Sequence, residues 1–265
     1  MLFRSEDLDF ESLLDKVEKI AVGAGQVILD HYSQKKIKIT IKSDSSPVTD
    51  ADLRAHSYIV EQLNSIKPKF TVISEEGFDL ANIKKDAPYW LVDPLDGTKE
   101  FIEKTDEFTV NIALIKNFKP ILGVIYVPVK RLLYGASPKK RAYKINEMGH
   151  EKAIKARVHD PNKMVLLRSR RHSKQSSDSM VKNWPNAHVT IAGSSYKFCL
   201  LAEGVADLYI RRGPTSIWDT GAGQCILESA GGKVQDEQGH DLVYDYRSLR
   251  NPNFWACGDP LLNVE

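Results

Sequence analysis

The apolar residues Phe10, Leu13, Leu14, Val17, Ile20, Ala21, Ala24, Val27 and Ile28, continued by His31, recur at steps of three and four. That is the period of one buried helix face, so the chain opens with a long helix that must be laid against an apolar partner. A second helix is expected to begin near Thr49 to Asp52. Leu53, Ile59, Val60, Leu63 and Ile66 supply its apolar face, after the loop-like run KSDSSPVTDAD. Beyond Pro68 the period changes. FTVIS, YWLVD, FTVNIALI and ILGVIYVPV are short β-branched runs that read as strands, with LLYGAS and RAYKI as continuations. The first half is therefore two helices against a mixed or mostly antiparallel sheet.

After a charged, poorly patterned stretch around His150 to Lys163, strand-like MVLLRS and HVTIAG precede helix-like SYKFCLLAEG. Strand-like ADLYI, helix-like TGAGQCILESAGG and strand-like FWACG follow. Such alternation predicts a second α/β layer with crossover connections. The expected division is an α+β subdomain over residues 1–155 and an α/β subdomain over 156–265.

With 265 residues, of which 42% are hydrophobic and 27% charged, the chain can bury a substantial core. Its 37 basic and 35 acidic residues nearly cancel, and the basic ones form no long stripe. A nucleic-acid surface is not expected, and any affinity for phosphate must be local. Cys199, Cys225 and Cys257 are scattered and contain no C-x-x-C pair, which argues against a disulfide framework and a zinc cluster. The acidic opening MLFRSEDLDFESLL lacks signal-peptide character, and no later run approaches about 18 apolar residues. A cytoplasmic setting is expected, with peripheral membrane association and oligomeric state left open.

Six acidic positions stand out: Asp93 and Asp96 in WLVDPLDGTKEF, Glu75 and Glu76 in VISEEG, Asp52 in the helix-start loop, and Asp219 in IWDTGAG. Each lies where a strand ends or a helix begins, the places where loops gather functional groups. Hard divalent cations such as Mg²⁺ require a cluster of oxygen ligands of this kind. Pro94 biases Asp93 toward an extended conformation, so the strand is expected to finish there and the chain to turn. Gly97 permits close backbone approach, and N–H groups at a following helix start favour phosphate. Singly, each feature also has a plain structural reading: D-P-x-D-G as a turn, Glu75-Glu76 as a solvated pair, Asp219 as an N-cap.

Jointly, SEEG, WLVDPLDGTKEF and WDTGAGQCILESAGG resemble the signature set of the inositol monophosphatase family of Mg²⁺-dependent, lithium-sensitive phosphatases. The resemblance implies a layered αβαβα sandwich of the inositol monophosphatase and fructose-bisphosphatase type. It implies that Glu75, Asp93 and the Leu95 carbonyl hold one Mg²⁺, and that Asp93, Asp96 and Asp219 hold a second. The family's T-x-A-D element falls on Thr49-Asp50-Ala51-Asp52, so Asp52 with Thr98 is expected to orient the attacking water. Gly97 and Thr98 N–H groups would take the phosphate oxygens. Relatives often carry Ala where this chain has Gly221, a difference expected to touch helix packing alone.

DPLDGTKEFI, GSSYKFCLLAEG and GPTSIWDT further resemble the branch that acts on 3'-phosphoadenosine 5'-phosphate. Inositol monophosphatases carry a glutamate shortly before the W-D motif, whereas here the segment is Tyr209-Ile210-Arg211-Arg212-Gly213. An arginine cannot accept from a sugar hydroxyl but pairs well with a second phosphate. The expected substrate contacts are Gly193, Ser194, Ser195, Lys197 and Arg211, beside Glu75, Leu95, Asp96, Gly97, Thr98 and Asp219. Arg168, Arg170, Arg171 and His172 either add to that pocket or form a solvated basic loop. The expected activity is hydrolysis of the 3'-phosphate to give AMP, clearing a by-product of sulfate activation. An inositol or sugar monophosphatase and a catalytically silent nucleotide-binding module are the alternatives.

Overall fold

The computed structural model describes residues 8–34, 37–43, 45–78, 83, 87–170, 184–262 and 264. Helix α1 spans Phe10–Tyr32 and α2 Asp50–Ser65, and between them β1 (Ile39–Ile41) and β2 (Pro47–Thr49) pair as a short antiparallel hairpin. The region read from sequence as a plain loop thus carries two strands. They were hidden because β1 is exposed throughout and has no buried face to impose a period.

Seven strands form the larger sheet: β3 (Thr71–Ser74), β4 (Tyr89–Asp96), β5 (Thr109–Lys116), β6 (Lys119–Val127), β7 (Leu132–Ser137), β8 (Lys140–Ile145) and β9 (Glu151–Ala153). They lie in chain order, with β3 and β4 parallel and every later pair antiparallel. The one-turn helix α3 (Thr98–Ile102) follows β4. A second, five-stranded sheet is built from β10 (Val165–Arg168), β11 (His188–Ile191), β12 (Leu208–Arg211), β13 (Lys233–Asp236) and β14 (Phe254–Cys257), in the order β11-β10-β12-β14-β13. Helices α4 (Tyr196–Ala202) and α5 (Ile217–Ser229) connect its strands.

Burial explains why the central strands read as unbroken apolar runs. On β4, Trp90 and Val92 join the core under α1 and α2, while Tyr89 and Leu91 join the core under α4 and α5. A strand covered on both faces needs apolar residues at every position and loses the alternation of a half-exposed one. Each such large side chain contributes roughly 1.5–3 kcal/mol when fully buried. The layers run α1/α2, seven-stranded sheet, α4/α5, five-stranded sheet.

Gly221 lies where α5 meets the large sheet: a Cβ there would stand 3.0 Å from Leu91 Cδ2 and 3.5 Å from Ala113 Cβ. The missing methyl is a matter of this packing, as expected. All three cysteines are buried and unpaired. Among the described residues no helix is long and apolar enough to cross a membrane.

Candidate active site

Strand β4 does not stop at Asp93, as the proline suggested; it continues to Asp96 through a bulge. Asp93 pairs with Asn111 and Asp96 with Thr109, so three steps on β4 match two on β5. On a regular strand, residues three apart point to opposite faces, and the extra residue of a bulge removes that opposition. Pro94, which has no N–H to give a ladder, is suited to this irregular position. Asp93 Oδ1 accepts the Leu95 N–H at 3.0 Å, which ties the acid into the bulge. Gly97 then takes φ 92°, a left-handed conformation that L side chains resist, and α3 begins at Thr98.

Asp52 sits at the third position of α2 in a capping box. Its Oδ2 accepts the Thr49 N–H at 2.8 Å and the Thr49 hydroxyl at 2.5 Å. Its other oxygen accepts the Thr98 hydroxyl at 2.9 Å, 46 residues on in sequence. The two expected water-orienting residues are therefore in direct contact. Glu75 follows β3 and is paired with Lys42 Nζ at 3.1 Å, which also reaches Glu76 at 2.7 Å.

Asp219 repeats the capping-box arrangement on α5, its Oδ2 accepting the Ser216 N–H at 2.9 Å. Ser216, not Asp219, is the N-cap; Asp219 is the third helical residue and completes the capping box, a structural role that does not exclude the functional one. Asp96 Oδ2 accepts the Ser195 N–H at 2.5 Å, while the Ser195 hydroxyl donates to Asn111 Oδ1 at 2.6 Å. That pair of bonds ties the Gly193–Ser195 turn, in the second half of the chain, to the end of β4 in the first.

Electrostatics single out the same acids. Burial, reinforced by Glu75, Asp96, Asp219 and Asp52, holds the Asp93 carboxyl well above the usual range. Burial pushes Asp219 up to about 8, with Asp96 adding to the rise, and Asp96 up to about 6 despite the opposing pull of Lys197. Burial also raises Asp52 and Glu75. Buried acids that repel one another cost stability unless a cation compensates them, and an all-oxygen set is the chemistry Mg²⁺ selects. The residues fit such an ion. Among the described residues no three acidic, histidine or cysteine side chains are yet drawn to one coordination point. Each carboxylate is instead turned to an internal donor: Leu95 N–H, Ser216 N–H, Ser195 N–H, the Thr49 donors or Lys42.

Asp96, Asp219 and Glu100 are the carboxylates of a cavity of about 480 Å³, which Gly97, Gly193, Ser194, Ser195, Lys197 and Arg211 also line. Asp52, Glu75, Asp93, Leu95 and Thr98 do not line it. Lys197, 4% exposed, directs Nζ to the carbonyls of Ala192 and Ser194 and lies 5.0 Å from the centre of the Tyr209 ring. Arg211 bonds the Pro214 carbonyl at 2.9 Å, and its buried Nε–H has no hydrogen-bond partner. Its neighbour Arg212 is excluded from the cavity and pairs with Glu237 at 3.0 Å. Successive residues at a strand end point to opposite faces, so only one of the two arginines can face the site.

Of the basic run, Arg170 lines the cavity and Arg168 does not; Arg171 and His172 lie outside the described residues. Sequence reasoning missed Lys42, Asn111, Glu107 and Arg250. Arg250 lines the cavity 3.4 Å from the Ser216 hydroxyl. Asn111 and Glu107 flank FTV in EFTVN, where a polar residue interrupting a fully apolar strand was the available signal.

Residues 9–260 match the inositol monophosphatase family. The chain is 45% identical over 245 residues to the 3'(2'),5'-bisphosphate nucleotidase CysQ of Escherichia coli (strain K12), covering 91% of this chain and 98% of that protein. The crystal structure of CysQ from Bacteroides thetaiotaomicron superposes with a TM-score of 0.84 at 38% identity, covering 95% and 99% of the two chains. A Thermotoga maritima inositol monophosphatase shares the fold, with a TM-score of 0.79 at 21% identity over 94% and 93%. This chain belongs to the inositol monophosphatase family.

Proposed function

We propose that the protein is a Mg²⁺-dependent phosphatase that hydrolyses the 3'-phosphate of 3'-phosphoadenosine 5'-phosphate to AMP and phosphate. The observation that carries this reading is the mixed charge of the cavity lining: carboxylates Asp96, Asp219 and Glu100 together with cations Lys99, Lys197, Arg211, Arg170 and Arg250. A ligand with one phosphate at the metal-holding acids and another among the arginines engages both, whereas the neutral ring of an inositol phosphate offers the arginines no second anion. The relatives named 3'(2'),5'-bisphosphate nucleotidase support the same substrate class.

Glu75, Asp93, Asp96 and Asp219, with the Leu95 carbonyl, would hold two Mg²⁺. When bound, the metal supplies charge neutralisation on the phosphoryl group and a lowered pKa for the attacking water. Thr98 gives its one hydroxyl proton to Asp52 Oδ1, so its oxygen is left to accept from that water. A proton taken at Thr98 Oγ1 is matched by the hydroxyl proton passing to Asp52, whose raised pKa suits it to receive one. Gly97 and Thr98 amides and the Gly193–Ser195 turn would bind phosphate oxygens. The physiological role in this reading is removal of the by-product of sulfate activation.

Turnover of 3'-phosphoadenosine 5'-phosphate and of inositol 1-phosphate at saturating Mg²⁺ tests the assignment. The nucleotide should be preferred by at least about a hundredfold in kcat/KM, in line with the loss expected when buried polar groups go unpaired. Preference for the inositol phosphate would overturn it.

A further inference from the structure

Two glycine turns that face the cavity come from opposite halves of the chain, and both close against the same two residues, Glu100 and Glu107. A Cβ on Gly193 would stand 2.8 Å from the Glu107 carbonyl oxygen, and one on Gly97 would stand 3.4 Å from the same atom. The Gly193 turn could not approach so closely with a side chain present, whereas at Gly97 the contact is an ordinary one. The Glu107 carboxylate, largely buried at 17% exposed, uses a single oxygen for two further contacts. Oε2 accepts the Gly193 N–H at 2.9 Å and an Arg170 guanidinium N–H at 2.7 Å.

Glu107 is not itself part of the cavity wall, whereas Arg170 and Gly193 are. Arg170 is more than a third exposed, and an unrestrained arginine there would sample many rotamers. The contact to Glu107 fixes one edge of the guanidinium and leaves its remaining N–H groups to a ligand, the geometry in which arginine binds phosphate best.

We propose that Glu107 is a positioning residue that presets Arg170 as a contact for the substrate's second phosphate and locks the Gly193 turn beside it. The inference rests on the bisphosphate reading above and names one element of how the site distinguishes two phosphates from one. Glu107 acts by orientation, since its own charge would repel the ligand and is engaged by Arg170 and the Gly193 amide.

The test compares kcat/KM for 3'-phosphoadenosine 5'-phosphate with that for 3'-AMP, which lacks the second phosphate, in the Mg²⁺-loaded enzyme. In Arg170→Met and in Glu107→Gln the ratio of the two should fall about tenfold, through KM for the bisphosphate. The double variant should fall no further, because the two residues act as one unit. Arg170→Lys should give an intermediate ratio. A purely structural Glu107 would lower both substrates together and leave the ratio unchanged, which would overturn the proposal. Additive losses in the double variant would overturn it too. If Glu107→Gln does not fold, the ratio in Arg170→Met decides. Failure of the unmodified protein to hydrolyse the bisphosphate would instead overturn the functional reading itself.

Discussion

The Thr98 hydroxyl donates to Asp52 Oδ1 across 2.9 Å, joining the first residue of α3 to the first turn of α2. Because Asp52 is also half of a capping box, its two oxygens serve different ends: Oδ2 holds the helix start and Oδ1 holds Thr98. Replacing Thr98 with Ala should lower kcat by about 10²–10³ while leaving thermal stability nearly unchanged, since one partly buried hydroxyl is lost. Asp52→Asn should lower kcat similarly and also cost about 1 kcal/mol of stability through the weakened cap. Steady-state kinetics beside thermal melts separate the two effects, and full activity in Thr98→Ala would remove Thr98 from the mechanism.

The Asp93 carboxyl is held well above the usual range, pressed by burial and by four neighbouring acids. Added Mg²⁺ should raise the melting temperature of the unmodified protein, with a gain of about 2.7 kcal/mol at a hundredfold excess over Kd. In Asp93→Asn most of that shift and essentially all turnover should vanish, while the metal-free variant melts no lower than the parent. Differential scanning calorimetry with and without Mg²⁺ reads both. An undiminished Mg²⁺ shift in the variant would rule out Asp93 as a ligand.

Gly97 holds φ 92° at the junction of β4 and α3. An alanine there is strained by about 1–2 kcal/mol, and its methyl would stand 3.3 Å from Glu100 Oε2 and 3.4 Å from the Glu107 carbonyl. Gly97→Ala should therefore lower the free energy of unfolding measured in urea by that amount and reduce kcat, because any relief moves the Asp96 to Thr98 segment. A variant with unchanged stability would show that the left-handed conformation is not required in solution.

Far from the cavity, Asp207 accepts two bonds from Arg157, at 2.7 and 2.6 Å, and a third from the Val165 N–H at 2.6 Å. The Asp207 side chain is fully buried, whereas Arg157 is 39% exposed. Asp207→Ala would strand the Val165 amide while the part-exposed guanidinium turns to water, and should cost about 1–3 kcal/mol. Arg157→Met leaves a fully buried carboxylate with no compensating cation and should cost more, about 3–5 kcal/mol. Chemical denaturation checks the order, and an equal or reversed order would count against the geometry described.

Strands β3 to β8 of the large sheet and the helices α1, α2, α4 and α5 were legible because each has a local cause, whereas the exposed β9 was not. Phe10 to His31 keep one helical period, Thr49 and Asp52 form a local cap, and YWLV ahead of Asp93 is apolar at every position. The acidic site candidates were legible because each stands at an element boundary. The β1–β2 hairpin and β13 were not, since short, exposed or polar strands carry no periodic signal.

Other features depend on contacts between residues far apart in the chain. The bulge that carries β4 past Pro94 to Asp96 is imposed by pairing with β5, and the proline alone argued for an end. Which of Arg211 and Arg212 faces the cavity depends on the register of β12 against β14. Glu107 meets Arg170 across 63 residues, and Ser195 meets Asp96 across 99. The sequence by itself determined the local elements, the capping boxes and the candidate acids, since propensity and periodicity act over a few residues. Only the tertiary structure decided which turns from the two halves share one cavity and which cations line it, because sheet register and loop closure are set by burial of the whole core.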